Sequence, residues 1–263
     1  RRAKAAGGMM GVGQARRQIR IFGLEGVPEV RAGDNLAGFI VAAAQRGPGI
    51  ADGDVIVVTQ KVVSKAEGRI VLLESVTASP EAERLAVATE KDPRLVELIL
   101  RESVRIVRQR GPVLITETRH GFVCANAGID ASNVGEGVVC LLPEDPDRSA
   151  AQIRRVVRGA TGAEVAVIIS DTFGRPWREG HTNVAVGLSG MLPFADYVGQ
   201  KDPYGYELRV STLAVADELA GAAELVMGKL DRVPVAIVRG YEYPRGEGSG
   251  RQIVRDPERD LFR

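Results

Sequence analysis

The order of apolar and polar positions predicts a chain in which helices and strands are mixed. From Leu36 to Ala43 apolar residues recur at helical spacing, which predicts a helix that Asp34 caps and that the Gly-Pro-Gly turn at 47–49 ends. Pro80 follows a serine, and this pair predicts another helix start. Further helices are predicted over about 92–108, 149–159 and 217–227.

Runs of β-branched residues bounded by glycine or proline predict the strands. The runs at 52–60 and 164–170 are apolar over most of their length, as expected of strands that are buried on both faces. Because predicted hairpins adjoin strand–helix units, the order predicts an α+β fold of mixed sheets with flanking helices rather than a strictly alternating α/β sheet. Shorter strands are predicted over 112–118, 121–127, 137–143, 184–190, 207–214 and 234–240.

The two ends of the chain differ from the rest. Residues 1–18 are rich in Arg, Ala and Gly and have no apolar period, which predicts a disordered tail, with an RNA-binding arm as the alternative. Residues 251–263 are mostly charged and predict a C-terminal extension. We therefore expect one domain over 19–250.

Composition and charge exclude several classes of protein. Lys plus Arg is 35 and Asp plus Glu is 34, so the net charge of +1 gives no general attraction for nucleic acid or an anionic membrane. The longest apolar runs are far below the roughly 18 residues that span a bilayer. Two cysteines form no disulfide framework and fit a reducing compartment. We expect a cytoplasmic protein whose anion site, if it has one, is local.

The first candidate segment for chemistry runs from Thr59 to Lys65. The common nucleotide, hydrolase and metalloprotease motifs are absent from the sequence, so other residue patterns must carry any activity. Lys61 and Lys65 follow a predicted buried strand, and two ammonium groups at a strand end suit a polyphosphate. A solvated basic loop is the alternative.

Two further segments supply carboxylates. Asp130 and Asn133 lie between predicted strands, and an Asp/Asn turn is the alternative to a ligand site. Asp171 directly follows a buried strand and precedes Thr172, an arrangement that can hold Mg²⁺ beside phosphates; a helix cap is the alternative. Arg175 adds a positive charge nearby. If the two aspartates meet in the fold, they can share a metal ion as two-carboxylate phosphoryl-transfer sites do.

Three motifs taken together resemble the coenzyme F420-0:L-glutamate ligase family, also called F420 γ-glutamyl ligases. They are KAEGR at 65–69, NAGIDASN at 126–133 and SDTFGR at 170–175, and matching stretches in family order cover about 19–250. The resemblance implies an α+β homodimer that uses GTP to add L-glutamate to the precursor F420-0 and then extends a γ-linked tail. It also implies Mg²⁺ or Mn²⁺, together with K⁺.

The resemblance implies roles for particular residues. The metal ligands of the family match Asp130, Asp171 and Thr172, and Lys65 and Arg175 would neutralise charge during phosphoryl transfer. The implied GTP contacts are Val27, Pro28, Glu29, Val30, Gln60, Lys61, Lys65, Asn133, Met227, Gly228, Lys229, Leu230, Asp231, Arg232, Val233 and Pro234.

One position departs from the family pattern. Archaeal members carry an acidic residue after Met-Gly, where this chain has Lys229. The resemblance therefore implies either that Lys229 contacts phosphate or that Asp231 replaces the acid.

Ligation is also compatible with the absence of the common hydrolase motifs from the sequence. A carboxylate becomes reactive when GTP phosphorylates it, and the glutamate amine can then attack the acyl phosphate without a covalent protein nucleophile. Two alternatives remain: a metal-dependent nucleotide phosphohydrolase that uses the same aspartates, and a non-catalytic GTP-binding module. GDP release that depends on glutamate would separate the ligase from both.

Overall fold

The computed structural model describes residues 18–132 and 134–261. Six α-helices lie in this part of the chain. Pro80, Pro93 and Pro146 each begin a helix, at the position where a backbone N–H would have no partner within the helix. The helices are α1 (Leu36–Gln45), α2 (Gln60–Ala66), α3 (Pro80–Thr89), α4 (Pro93–Arg101), α5 (Pro146–Thr161) and α6 (Val215–Met227).

A central sheet of five strands organises the fold, and strands are numbered in chain order. β2 and β8 are parallel, whereas the other neighbouring pairs in this sheet are antiparallel. The spatial order is β1 (Arg20–Gly23), β12 (Val235–Arg239), β2 (Val55–Thr59), β8 (Ala166–Arg175) and β9 (Arg178–Ser189).

Three smaller sheets complete the strands of the described residues. All of their pairings are antiparallel. A central sheet with parallel and antiparallel pairs, three antiparallel sheets and flanking helices confirm the predicted α+β class. The smaller sheets pair β3 (Ile70–Leu72) with β7 (Val138–Cys140), β4 (Ser103–Arg110) with β5 (Val113–Thr118) and β6 (Val123–Ala125), and β10 (Ala195–Asp196) with β11 (Thr212–Leu213).

Helices cover both faces of the central sheet. On one face Val58 and Ile169 pack in a cluster with α1 and α5. On the other face Val57 and Ile168 pack in a cluster with α6. Alternate residues of a strand point to opposite faces, so β2 and β8 are buried on both sides, as their sequences predict. This packing holds β2 and the first half of β8 in place.

The helix predicted over 92–108 is wrong in its second half. α4 ends at Arg101, and the chain continues as β4 from Ser103. Val104 and Ile106 are β-branched and favour a strand, and β4 forms a ladder with β5. The hydrogen bonds of this ladder replace those that a longer helix would make.

Two smaller predictions are also wrong. The strand predicted over 207–214 is limited to the two residues of β11. Asn35 rather than Asp34 caps α1, because the Asn35 side chain accepts a hydrogen bond from the Gly38 N–H at 3.0 Å. The Asp34 carboxylate instead accepts a hydrogen bond from the Arg31 N–H at 2.7 Å.

The structure describes most of the predicted C-terminal extension at 251–263 but little of the predicted N-terminal tail. Of the predicted tail at 1–18, only residue 18 lies within the described part. In the predicted C-terminal extension, Ile253 and Val254 pack against the two faces of the core. Just before them, the Asp147 carboxylate accepts hydrogen bonds from Ser249 Oγ and the Gly250 N–H. These contacts attach the segment to α5.

Two findings concern the membrane-spanning and disulfide-linked classes of protein that the sequence argues against. Among the helices of the described residues, none has the length and apolar character needed to cross a bilayer. Cys124 and Cys140 are both free and buried, as is usual for cysteines that pack as small apolar side chains.

Candidate active site

A cleft of about 650 Å³ opens at the carboxyl end of β2 and the adjacent middle part of β8. These strands are parallel, and Thr59 lies beside Ser170 in their register. Lys61, in the first turn of α2 directly after β2, and Asp171, the next residue of β8 after Ser170, therefore line the same cleft. Sheets with parallel strands commonly bind ligands at this edge.

The segment at 59–65 forms a helix rather than a basic loop. α2 begins directly after β2, and Lys61 and Lys65 lie one turn apart on the same face. The Lys61 ammonium is 2.7 Å from Asp130 Oδ2, and the Lys65 ammonium is 2.5 Å from Glu29 Oε1. Both lysine side chains are mostly buried, so these pairs hold two positive charges at the wall of the cleft.

A left-handed turn places Asp130. The three residues at 126–128 have φ between 52° and 71°, and this is unusual for Ala127 because it carries a Cβ. The Asp130 carboxylate accepts a hydrogen bond from the Ser132 N–H at 2.6 Å, so the Asp turn considered as an alternative is present. Burial favours a higher pKa for Asp130, but hydrogen bonds from Lys61 and Ser132 outweigh it and hold the pKa below its ordinary value. The group is therefore a carboxylate at neutral pH.

Asp171 lies within β8 and does not begin a helix. Because β8 continues to Arg175, the helix-cap alternative is wrong. Burial raises the pKa of Asp171 to about 7; the charge of Asp130 adds to this rise, and a hydrogen bond from the Thr172 N–H opposes it. A buried carboxyl group beside a second carboxylate gains from a bound proton or cation.

Two polar residues of the cleft, Asn183 and Glu224, were not predicted from the sequence. The Thr172 hydroxyl donates to Asn183 Oδ1 at 2.7 Å, and Asn183 Nδ2 donates to Glu224 Oε2 at 2.8 Å. The Lys229 ammonium is 2.5 Å from Thr172 Oγ1 and 3.4 Å from Glu224 Oε1. The one available signal was the position of Glu224 on the last turns of α6, shortly before Lys229.

Most residues that the sequence singled out line this cleft. Among them are the three implied metal ligands Asp130, Asp171 and Thr172. Asn133 lies outside the described residues. The implied GTP contacts that line the cleft are Val27, Pro28, Glu29, Val30, Gln60, Lys61, Lys65, Gly228, Lys229, Leu230, Arg232, Val233 and Pro234. Their roles in binding stay predictions.

Two of the implied GTP contacts do not line the cleft. Met227 is 1% exposed and packs in the core beneath α6. The Asp231 carboxylate lies so close to Gly228 that it would overlap a Cβ there. The cleft is lined by Lys229 and not by Asp231, so the geometry gives no support to Asp231 as a replacement acid.

Arg175 also lies away from the cleft. It ends β8 at the hairpin, where its guanidinium donates to the carbonyl oxygens of Glu179 and Gly180. An extended strand rises about 3.3 Å per residue, so Arg175 lies roughly 13 Å along the strand from Asp171. The prediction that Arg175 lies near Asp171 relied on their closeness in sequence, but four residues of an extended strand separate the two side chains.

The sequence profile of the F420-0:Gamma-glutamyl ligase family matches residues 26–240 of this chain. The chain belongs to this family. It is 51% identical over 249 residues to a coenzyme F420:L-glutamate ligase of Methanothermobacter thermautotrophicus, covering 93% of this chain and 99% of that protein. For proteins of the same name, identity is 50% over 248 residues in Methanopyrus kandleri (91% and 97% covered) and 43% over 251 residues in Methanocaldococcus jannaschii (94% and 98% covered). The resemblance stated from the motifs is therefore confirmed.

The cleft of this family member offers hard oxygen ligands. Within the described residues, no three His, Cys, Asp or Glu side chains are grouped closely enough to form a metal site alone. Asp130, Asp171 and the Thr172 hydroxyl nevertheless line one cleft, and burial together with the charge of Asp130 raises the pKa of Asp171. Mg²⁺ often binds through one or two carboxylates and takes its other ligands from water and phosphate. The residues present fit such an ion.

The pKa of Asp171 leads to a prediction about stability. In EDTA we expect Asp171→Asn to be more stable than the wild-type protein at pH 8 and equally stable near pH 4. The pKa of the carboxyl group is 3.8 in the unfolded chain and about 7 in the folded protein, so ionisation opposes folding as the pH rises through this window. The full difference corresponds to roughly 4 kcal/mol. Urea unfolding at several pH values measures it, and a wild-type advantage that grows with pH would contradict the environment described for Asp171.

Proposed function

We propose that this protein is a ligase that uses GTP and a divalent cation to join L-glutamate to F420-0. The observation that carries the proposal is the convergence of Lys61, Lys65 and Lys229 with Asp130 and Asp171 in one cleft of a family member. Ammonium groups bind polyphosphate, and the carboxylates suit a cation that accompanies it.

The proposed reaction has two steps. A carboxylate oxygen of F420-0 attacks the γ-phosphorus of GTP, and GDP leaves with the electron pair of the broken P–O bond. The glutamate amine then attacks the carbonyl carbon of the acyl phosphate, loses a proton and expels phosphate as the amide forms. Repetition on the γ-carboxylate of the new product would extend the tail.

The residues of the cleft support the first step by electrostatics. Charge on the phosphate oxygens must be neutralised during phosphoryl transfer, and groups held in position before the reaction do this best. Lys61 and Lys65 are held at the cleft wall by the carboxylates of Asp130 and Glu29. A divalent cation held by Asp130, Asp171 and Thr172 would supply further positive charge when bound.

The remaining parts of the proposal concern assembly and ions. We propose Mg²⁺ or Mn²⁺ as the divalent cation, K⁺ as an additional ion, a homodimer, and a cytoplasmic location. Tyr204, Tyr206 and Val210 are highly exposed in the segment between β10 and β11, and exposed apolar groups of this kind support contact with a second copy.

One incubation tests the activity. Purified protein is mixed with F420-0, GTP, Mn²⁺ and L-glutamate, and the products are analysed by mass spectrometry and by GDP release. Glutamylated F420 together with GDP release that requires glutamate is the expected result. GDP release without glutamate transfer would indicate a phosphohydrolase, and GTP binding without turnover would indicate a binding module.

Lys65→Met is expected to weaken GTP binding by about 1.5–3 kcal/mol, the usual value of a hydrogen bond to a charged group. Methionine retains the apolar stem and removes the ammonium, so the effect reports the charge. Isothermal titration calorimetry measures the affinity. Lys91→Met is the matched control, because Lys91 follows α3 and does not line the cleft. Equal affinities for the two variants would show that Lys65 serves only its pair with Glu29.

A further inference from the structure

A closed ring of contacts joins four side chains in the cleft. The Lys229 ammonium donates to Thr172 Oγ1, and the Thr172 hydroxyl donates to Asn183 Oδ1. Asn183 Nδ2 donates to one carboxylate oxygen of Glu224, and the other oxygen of Glu224 is 3.4 Å from the Lys229 ammonium. Each group therefore limits the orientation of the next.

The fold brings these four residues together from distant parts of the chain. Thr172 and Asn183 face each other in the register of β8 and β9. Glu224 belongs to α6, and Lys229 follows the end of that helix. A Cβ added at Gly221 would lie 3.5 Å from Thr182 Oγ1, so the face of α6 that carries Gly221 is close to β9. Glu224 is three residues further along and lies on that side of the helix.

The members of the ring differ greatly in exposure. Asn183 is 3% exposed and uses both ends of its amide, so its orientation is determined by Thr172 and Glu224. The Lys229 side chain is 63% exposed and has several rotatable bonds. A lysine this free loses conformational entropy when it binds a ligand, unless its position is restricted beforehand.

We propose that Glu224 and Asn183 are positioning residues that hold the Lys229 ammonium beside the Thr172 hydroxyl, where it meets an anionic oxygen of the bound nucleotide. The inference rests on the proposed function, because it takes the polyphosphate of GTP as the ligand of this cleft. Glu224 and Asn183 act through Lys229 and Thr172 and need not contact the substrate themselves.

The direction of the change in nucleotide affinity distinguishes two possible roles of Glu224. A carboxylate in the cleft repels a polyphosphate, so Glu224 acting only as a charge would weaken nucleotide binding. Removing that charge with Glu224→Gln would then tighten binding. If Glu224 instead holds Lys229 in place, the same substitution weakens binding. The two roles therefore predict changes of opposite sign.

The experiment measures the dissociation constant of a non-hydrolysable GTP analogue by calorimetry. Glu224→Gln is expected to weaken binding about five- to tenfold, less than the loss of a full charged hydrogen bond. Glu218→Gln is the matched control, since Glu218 is an exposed glutamate of the same helix, and it should leave the affinity unchanged.

A double-mutant cycle tests whether Glu224 acts through Lys229. If it does, Glu224→Gln combined with Lys229→Gln binds the analogue within about twofold of Lys229→Gln alone. Tighter binding by Glu224→Gln, or losses that add in the double variant, would overturn the proposal.

A second readout does not require the nucleotide. Competitive acetylation followed by peptide mass spectrometry reports how freely each lysine amine reacts, with Lys91, which follows α3 and does not line the cleft, as the internal reference. Glu224→Gln is expected to raise the labelling of Lys229 relative to Lys91 about threefold, because the amine loses one of its two partners. Unchanged labelling would overturn the positioning role. Raised labelling in a protein that fails to bind the analogue would instead count against the proposed function.

Discussion

Replacing Asp171 with asparagine is expected to lower the turnover of glutamate ligation by about 100-fold or more. Asparagine has nearly the same size but cannot carry the negative charge that a divalent cation requires. The Asp171 carboxyl group lines the cleft together with Asp130, so its loss leaves one carboxylate to hold the cation. Turnover is measured at saturating GTP and Mn²⁺, so that weaker binding alone does not account for the loss.

Asp217→Asn is the matched control for this substitution. Asp217 is also a carboxyl group whose pKa burial raises, and it accepts a hydrogen bond from the Ala185 N–H at 2.9 Å. It lines a different, smaller pocket. We expect this variant to keep turnover within about threefold of the wild-type value. Near-normal turnover of Asp171→Asn at saturating Mn²⁺ would contradict the role proposed for Asp171.

Replacing Arg239 with methionine is expected to lower the free energy of unfolding by about 3–5 kcal/mol, the usual cost of leaving a buried charge without its partner. Asp54 is fully buried, and the Arg239 guanidinium donates to both of its carboxylate oxygens, at 2.8 and 2.7 Å. Arg239 also donates to the carbonyl oxygens of Pro48 and Gly49. Asp54 Oδ2 still accepts a hydrogen bond from the Ala51 N–H at 2.8 Å, but the variant leaves the buried carboxylate without its counter-charge.

Urea unfolding of single and double variants separates the causes of this loss. In the double variant Arg239→Met with Asp54→Asn the buried charge is gone, and we expect it to recover part of the lost stability. Arg20→Met is a suitable control, since Arg20 and Arg239 both lie over the Phe22 ring but Arg20 is exposed at the edge strand β1. A loss below about 1 kcal/mol for Arg239→Met would mean that water or another donor satisfies Asp54.

Two of the wrong predictions depend on information that local spacing does not contain. The turns of α4 and the first residues of β4 contain similar apolar residues, and pairing with β5 adds to the β-branched residues in ending the helix after Arg101. The position of Arg175 was inferred from four residues of spacing, which means closeness in a turn or a helix but not along an extended strand. The missing information was the pairing partner of β4 in the first case and the extended conformation of β8 in the second.

The family and the strongest elements were determined by the sequence itself. Two apolar runs predicted strands buried on both faces, and β2 and β8 have that burial. Three short motifs predicted the family that the sequence profile and close relatives confirm. Such signals are local, because a run of apolar side chains or a short motif is complete within a few consecutive residues.

Only the tertiary structure decided which polar groups meet. The parallel pairing of β2 with β8 puts Thr59 beside Ser170, and Lys61 and Asp171 therefore share a cleft. Thr172 and Lys229 are 57 residues apart in sequence and in contact in the fold, and Asn183 and Glu224 are 41 apart. The sequence contains every one of these side chains but no local sign of their partners. Their meeting depends on how α6 packs on the central sheet, and that packing is the sum of many apolar contacts spread along the whole chain.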